Sequence, residues 1–433
     1  MPVGSLYTNE MSIYRSLLSK KIEKAVWWKS KWTPFIGFLD YDKFRKQSSY
    51  ATNPARQLRP SGNVIDVAKD FETFGSIDME VPIVYPLTGK GVSGTEPLRG
   101  KEETRKIASR RVHINQKRHA VVRQDNKMSK QVLRKPDLIM ALMERGAEDL
   151  RDWFSRWISF QPYLALLTGY REHLTDPVYG IPNLKMKSHP NFFVQGYGKV
   201  SLTGFGTSTY EGNVKTALAS LTDTSGDYFS MASIRNMVYY ANQLKIQPVQ
   251  FGNQAVYIIF ISPAQAFQLK QDPQFIEPMK FAWERSKDNP LFTGIVEGLL
   301  LENALLVVDN TIPYALINGD SGFVASMSTT GDNNGVMYFN RDTYMSNPIA
   351  SGVRSLAVLV GQGAITCGYA SELEYNTMED DYGQFIGDGA DMIVGFERAD
   401  IYDEDGYFGS KGSFLENVSS LVYATYSPTQ ITI

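Results

Sequence analysis

A layered fold of mixed helices and strands, α/β or α+β, is what this sequence predicts, and three observations predict it. Strand-like and helix-like runs alternate between about Ser225 and Ala370, one long amphipathic helix precedes them, and the last fifty residues are strand-like with Gly turns. The chain has 433 residues, 43% of them hydrophobic and 21% charged, so a sizeable core is affordable.

Residues 1–75 are aromatic and basic with few clean periods, as in "AVWWKSKWTPF". They read as an extended arm with one short amphipathic helix near Met11 to Ala25. Residues 76–125 hold two strand-like runs around a Gly/Pro-rich tip, "PLTGKGVSGTEPLRG". This is the pattern of a long two-stranded hairpin, and an isolated hairpin is marginal in water, so it should dock on a neighbour. After "LRKP" the pre-proline bias and Asp137 in the first turn start a helix over 137–168. Met143, Leu150, Trp157 and Leu164 form one apolar row; Ile139, Trp153, Phe160 and Leu167 form the next, with Gly146 as the exception and Pro162 as a potential kink. Residues 170–225 read as loops with short strands. The alternating unit then comprises helix "MASIRNMVYYANQLK", strand "AVYIIFIS", helices "PAQAFQLKQD" and "FIEPMKFAWERSK", the turn "DNPLFTG" and strand "ALLVVDN". Residues 319–350 read as a surface excursion, and "VRSLAVLVGQGAITCGYA" as a buried strand pair.

Charge is unevenly distributed. From Arg99 to Lys135 there are 13 Lys or Arg against three carboxylates, a local excess of ten positive charges in a chain of net charge −2. Between Glu372 and Asp405, 12 carboxylates face only Arg398. A nucleic-acid strip should interleave aromatics with its cations to stack bases, yet Arg105 to Lys130 contains no Phe, Tyr or Trp. Phosphate contact alone needs no aromatics, so a DNA-binding hairpin stays an alternative. If the cationic and anionic blocks met within one subunit they would neutralise it; if they met between copies they would direct assembly.

Chemistry-bearing motifs are weak. "GDSG" at Gly319 to Gly322 lacks a matching general-base context among His113, His119, His173 and His189. "YDEDG" near Asp403 and Asp405 fails as a calcium loop, because Ile401 and Gly412 stand at two ligand positions. "GQGAITCG" and "GKG" are not phosphate cradles. The single Cys367 excludes an internal disulfide, and within an apolar run it reads as core filler. No cofactor and no catalytic or metal site is expected; an α/β hydrolase is a further alternative for which the sequence nominates no residues. The N-terminal segment does not read as a signal peptide and no run suits a bilayer, so the chain is expected in the cytoplasm of its cell, away from any membrane.

In this order, the arm, hairpin, long helix and alternating unit resemble the major capsid proteins of tailed double-stranded DNA bacteriophages, in the branch found mainly in short-tailed phages. The segments that carry the resemblance are "IVYPLTGKGVSGTEPLRGKEE", "RHAVVRQDNKMSKQ", "DLRDWFSRW", "YIIFISPAQAFQLKQDP", "ERSKDNPLFTG" and "EDDYGQFIGDGADMIVGFERADI", about half the chain. The resemblance implies an α+β, Hong Kong 97-like (HK97-like) capsid fold: arm 1–75, extended loop 76–125, peripheral domain 126–224 with its spine helix, axial domain 225–370, and a return to the peripheral domain over 371–433. It implies a shell of pentamers and hexamers of this chain around packaged DNA in a virion assembled in the bacterial cytoplasm. A portal, a separate scaffolding protein and a decoration protein are the implied partners. The extended loop would lie across an adjacent subunit, so Arg105, Lys106, Arg110, Arg111, Lys117, Arg118 and Arg123 are expected to meet a neighbour's Glu379, Asp380, Asp381, Asp388 and Asp391. Trp27, Trp28 and Trp32 are expected to anchor the arm on a neighbour.

Overall fold

The computed structural model describes residues 20, 26–27, 30–38, 62–68, 78–84, 91–94, 99–100, 102–103, 107–124, 136–168, 188–205, 208–251, 254–276, 299–316, 337–339, 353–380, 385–403 and 413–426. Nearly all of the short helix at 11–25, all but the start of the helix "FIEPMKFAWERSK" and all of "DNPLFTG" in the alternating unit, "GDSG" and most of the excursion at 319–350 lie outside these residues.

In chain order the N-terminal strands are β1 (Ile36–Phe38), β2 (Ile65–Ala68), β3 (Asp78–Val84), β4 (Ile107–His113) and β5 (Asn115–Gln124), followed by helix α1 (Pro136–Thr168). Next come β6 (Phe192–Val194), β7 (Gly198–Lys199), α2 (Ser208–Ala219), α3 (Met231–Gln243), β8 (Val249–Phe251), β9 (Gln254–Ile261) and α4 (Pro263–Gln271). The remaining strands are β10 (Leu299–Leu301), β11 (Ala304–Val308), β12 (Tyr314–Leu316), β13 (Met337–Phe339), β14 (Val353–Val360), β15 (Ile365–Asp380), β16 (Phe385–Arg398), β17 (Ile401–Asp403), β18 (Ser413–Glu416) and β19 (Ser420–Tyr426).

Three sheets organise these strands. One runs β1-β2-β15-β16-β5, a second β18-β17-β4-β3, and a ten-stranded sheet has the main order β10-β11-β9-β14-β19-β6-β7. Mixed parallel and antiparallel pairing with helices packed on the sheets makes the fold α+β. The ten-stranded sheet takes β6, β7 and β19 from outside 225–370, so its limits differ from those expected for an axial domain. Its middle strand β14 has Leu356 to Val360 all at 0% exposure, a continuous apolar run because both faces are covered. One face meets the core that includes Phe154, Ile158 and Tyr163 of α1; the other is covered by Ile234 and Met237 of α3 and Leu269 of α4.

The run expected to form a buried strand pair is instead β14 and β15 in two different sheets. Between them Gly363 takes a φ of +59°, where a side chain is strained, and an added Cβ would lie 2.8 Å from an Asp66 carboxylate oxygen. That turn hands the chain from one sheet to the other.

The expected spine helix forms at Pro136–Thr168, 33 residues or about 50 Å long, and it continues past Pro162. Its buried face is wider than the two rows read from sequence: Ala147, Leu150, Phe154 and Ile158 are buried, and from Gln161 to Leu167 every residue is. Trp153, Trp157 and Phe160 are only half-buried. α4 starts as its sequence dictates, with Pro263 in the first turn and a reciprocal box: Ser262 Oγ accepts from Gln265 N (3.3 Å) and Gln265 Oε1 accepts from Ser262 N (3.1 Å).

Candidate assembly surface

The basic strip folds into two sheets. β4 pairs with β3 in full antiparallel register, Asp78 opposite His113 through Val84 opposite Ile107, which forms the expected hairpin. After Ile114 the strip crosses to the five-stranded sheet, where β5 pairs with β16 from Asn115↔Val394 to Gln124↔Phe385. Gly395 permits this crossing: a Cβ there would lie 1.7 Å from the His113 carbonyl oxygen. Strand alternation then sends successive β5 side chains to opposite faces. His119 stacks on Trp153 of α1 at 4.1 Å and 15°, and the Lys117 ammonium lies 5.9 Å from the Trp153 ring and 5.6 Å from the Trp157 ring. Gln116 and Arg118 point to the other, exposed side.

Each predicted cation can therefore be placed. Arg110 is half-buried and donates from Nη1 to the Gly363 carbonyl at 3.1 Å, so it ties β4 to the inter-sheet turn of its own subunit. Lys117 covers the tryptophans of α1, and Arg118 is exposed. Arg111 and Arg123 lie on β4 and β5, with side chains outside the described set, as are Arg105 and Lys106 altogether.

The acidic block is adjacent, in the same chain. β15 and β16 form a long hairpin, and β16 places Asp391 directly opposite Arg118. Asp391 also accepts from Gln116 Nε2 at 2.6 Å. Part of the two blocks thus lies side by side within one subunit. Glu372 and Glu374 are exposed on β15, Glu379 and Asp380 lie on β15 without described side chains, and Asp381 lies outside the described residues. Asp388 departs from the expectation that it meets a neighbour. It is fully buried on the α1 side of β16, where a Cβ on Gly146 would approach its Oδ2 to 2.0 Å. Gly146 interrupts the apolar row because a carboxylate occupies the space of its side chain.

The arm anchors are also corrected in part. Trp32 is 1% exposed and packs on Tyr163 of α1 at 4.8 Å and on Phe260 of β9 at 4.1 Å. Trp27 is half-buried against Tyr369, edge-on at 6.1 Å. Both hold residues 26–27 and 30–38 to their own subunit, because β1 and β2 extend its five-stranded sheet; Trp28 lies outside the described residues.

Sequence reading missed a buried polar knot at the end of α1. Arg398 donates to both oxygens of Asp400 (2.7–3.0 Å) and to the Leu166 carbonyl (3.0 Å), which occupies one of the helix's last carbonyls. Burial opposes the Arg398 charge, but Asp400 outweighs it and holds its pKa above the ordinary value. Asn417 donates to Asp400 at 2.9 Å, and nearby His189 accepts from Asn191 N at Nδ1 and donates from Nε2 to Ser420 Oγ, both at 2.9 Å. Burial, reinforced by Arg398, pushes the His189 pKa well below its ordinary value, so the ring is neutral. A lone arginine in a carboxylate-rich run was the available signal. Burial likewise pushes the Cys367 thiol up, which suits a core residue and not a nucleophile. Among the described residues no helix is long and apolar enough to cross a membrane, and no group of three His, Cys, Asp or Glu side chains is placed to hold a metal ion.

The phage capsid protein family matches residues 54–411. No curated protein sequence matches. Solved structures of similar fold include the capsid of Ralstonia phage GP4, at 18% identity over 85% of this chain and 88% of that chain, with a TM-score of 0.54. The head structure of Helicobacter pylori bacteriophage KHP40 aligns at 15% identity over 84% and 88%, with a TM-score of 0.54. The capsid of cyanophage Pam1 aligns at 14% identity over 92% of both chains, with a TM-score of 0.56. A long spine helix beside a long hairpin sheet, an HK97-like α+β architecture and a family match over most of the length converge: the chain belongs to the phage capsid protein family, as a major capsid protein of a bacteriophage head.

Proposed function

We propose that this chain builds an icosahedral head from pentamers and hexamers of itself, enclosing packaged double-stranded DNA, in the cytoplasm of a host bacterium. The observation that carries the reading is the charge left at the surface after the intrachain contacts are made. Arg118 is exposed on one edge strand, and Glu372 and Glu374 are exposed on the strand two places away. Arg105, Lys106, Arg111 and Arg123 are assigned with Arg118 to contacts with neighbouring copies, and Glu379, Asp380 and Asp381 are assigned to the receiving surface. Complementary charge steers such contacts and rejects wrong pairings. Arg110, Lys117 and Asp388 serve the subunit itself. A net charge of −2 suits a wall against which DNA slides during packaging, where a cationic lining would grip it. A portal, a separate scaffolding protein and a decoration protein complete the proposed partners.

Negative-stain microscopy of the purified chain tests this reading. Shells, capsomers or sheets are expected; subunits that stay monomeric at every concentration and in the presence of scaffold would refute it. Arg118 is a cleaner probe of the contact than Arg110, whose replacement also removes the bond to Gly363.

A further inference from the structure

The five-stranded sheet ends in a three-stranded ribbon, β15-β16-β5, whose two outer edges are oppositely charged. Among the described residues β5 pairs only with β16 along all 10 of its residues. Among the described residues β15 pairs with β2 only as far as Gly368, and beyond it only with β16. β5 carries Lys117, Arg118 and Arg123 and no carboxylate; β15 carries Glu372, Glu374, Glu379 and Asp380 and no Lys or Arg. Long regular edges of this kind invite pairing with another chain, and proteins otherwise blunt them with bulges, prolines or short strands. Here the β15–β16 irregularities between Tyr369 and Glu374 leave the strand regular from Glu374 to Asp380.

We infer that the basic β5 edge of one copy adds, strand to strand, to the acidic β15 edge of the next, an inference that rests on the shell reading above. Two physical arguments select this occupant. Within one copy β16 holds the two edges about 10 Å apart, two strand spacings, so they cannot pair with each other. Between copies, β5 against β5 would oppose cations and β15 against β15 would oppose carboxylates, and like charges across a ladder destabilise it. The contact is therefore heterologous, head to tail, the type that generates rings when the rotation closes. Main-chain hydrogen bonds supply the affinity and the edge charges supply polarity and register.

Hydrogen exchange on the wild-type chain, as free subunits and as assembled particles, is the first measurement. Alternate amides of 115–124 and 374–380 are expected to slow together on assembly. Particles in which either edge exchanges as fast as in the free subunit would overturn the inference while leaving the shell reading intact, whereas failure of the wild-type chain to form particles would overturn the shell reading itself. Protection that disappears when residues 1–25 are removed from particles that still form would assign the edge to the arm and also sink the idea.

Charge exchange is the second test. Glu372→Lys with Glu374→Lys, and separately Arg118→Glu with Arg123→Glu, are each expected to fold but to lose closed shells. The chain carrying all four changes restores complementarity with reversed polarity and is expected to regain them. Mixing the two separate variants supplies matched edges only between unlike copies, which closes even-numbered rings and excludes pentamers, so sheets or tubes replace shells. Normal shells from both separate variants, or no recovery in a folded fourfold variant, would defeat the proposal.

Discussion

Gly146 shows how one residue reconciles a helix with a charge. In a helix interior glycine costs about 1 kcal/mol relative to alanine, so propensity alone favours Gly146→Ala. Against this, the new methyl carbon would sit 2.0 Å from a buried Asp388 oxygen, so the carboxylate, or the strand or helix around it, must shift. Overpacking of this kind costs roughly 1–3 kcal/mol before the displaced carboxylate is counted, so the clash prevails. Urea denaturation of Gly146→Ala is expected to show a net loss of about 1–2 kcal/mol; a gain would mean that the carboxylate swings away freely. His189 supports a prediction of pH dependence. Its folded pKa is depressed, so an unfolded chain binds a proton that the native state refuses, and stability falls as pH drops below the ordinary histidine value near 6.5. The groups that face it are Arg398 and Lys199, which reinforce the depression, with Asp400 and Glu211 in the surrounding knot. Burial raises the Glu211 pKa, so this group acts in the opposite sense. Wild type is expected to lose up to about 1.4 kcal/mol per pH unit more than His189→Gln between pH 6.5 and 5. Parallel pH profiles would remove His189 as the cause.

At the scale of elements, the segment before β1 is the informative case. Val26, Trp32 and Phe35 join the main core, so the segment stabilises its own subunit whatever it does in the shell. Trp32→Ala is expected to cost roughly 3–5 kcal/mol, the range for a fully buried large aromatic. Removal of residues 1–25 should leave a soluble subunit, and removal of 1–35 should not; equal soluble yields for both would show that the tryptophan contacts contribute little. This also marks what the sequence made legible. α1, α3, α4 and β9 were readable because each carries its own periodicity, cap or β-branched run. α2 was not: "STYEGNVKTALA" has Gly212 in its interior and only four fully buried apolar side chains, Tyr210, Val214, Ala217 and Leu218, between loop-like flanks. The aromatic weight of the arm was evident, but its destination was not, because Trp32 meets Phe260 across more than 200 residues of chain and no local pattern encodes that contact. The same holds for the charge blocks. Their existence is a count, but the register that sets Arg118 against Asp391 emerges only when β5 is laid on β16.

For the whole molecule, the net charge of −2 conceals a basic and an acidic edge on one ribbon, and this governs how assembly responds to salt. Folding rests on contacts that salt hardly reaches: the Arg398–Asp400 pair is buried, and the two cores are apolar. Assembly, in the reading proposed above, begins with exposed groups, Arg118 on one edge and Glu372 and Glu374 on the other. Raising sodium chloride from about 0.1 M to about 1 M shortens the screening length from about 10 Å to about 3 Å, which weakens attraction between approaching edges before they touch. Electrostatically steered association slows steeply under such screening, by up to tenfold or more. Light scattering is therefore expected to show shell formation slowing at least severalfold across this range, while the urea midpoint of the isolated subunit stays nearly constant. The chain with all four edge charges exchanged should follow the same salt curve, because complementarity and not the sign on either edge sets the attraction. An assembly rate indifferent to salt would show that apolar contacts alone drive the encounter and would leave the charged edges no steering role.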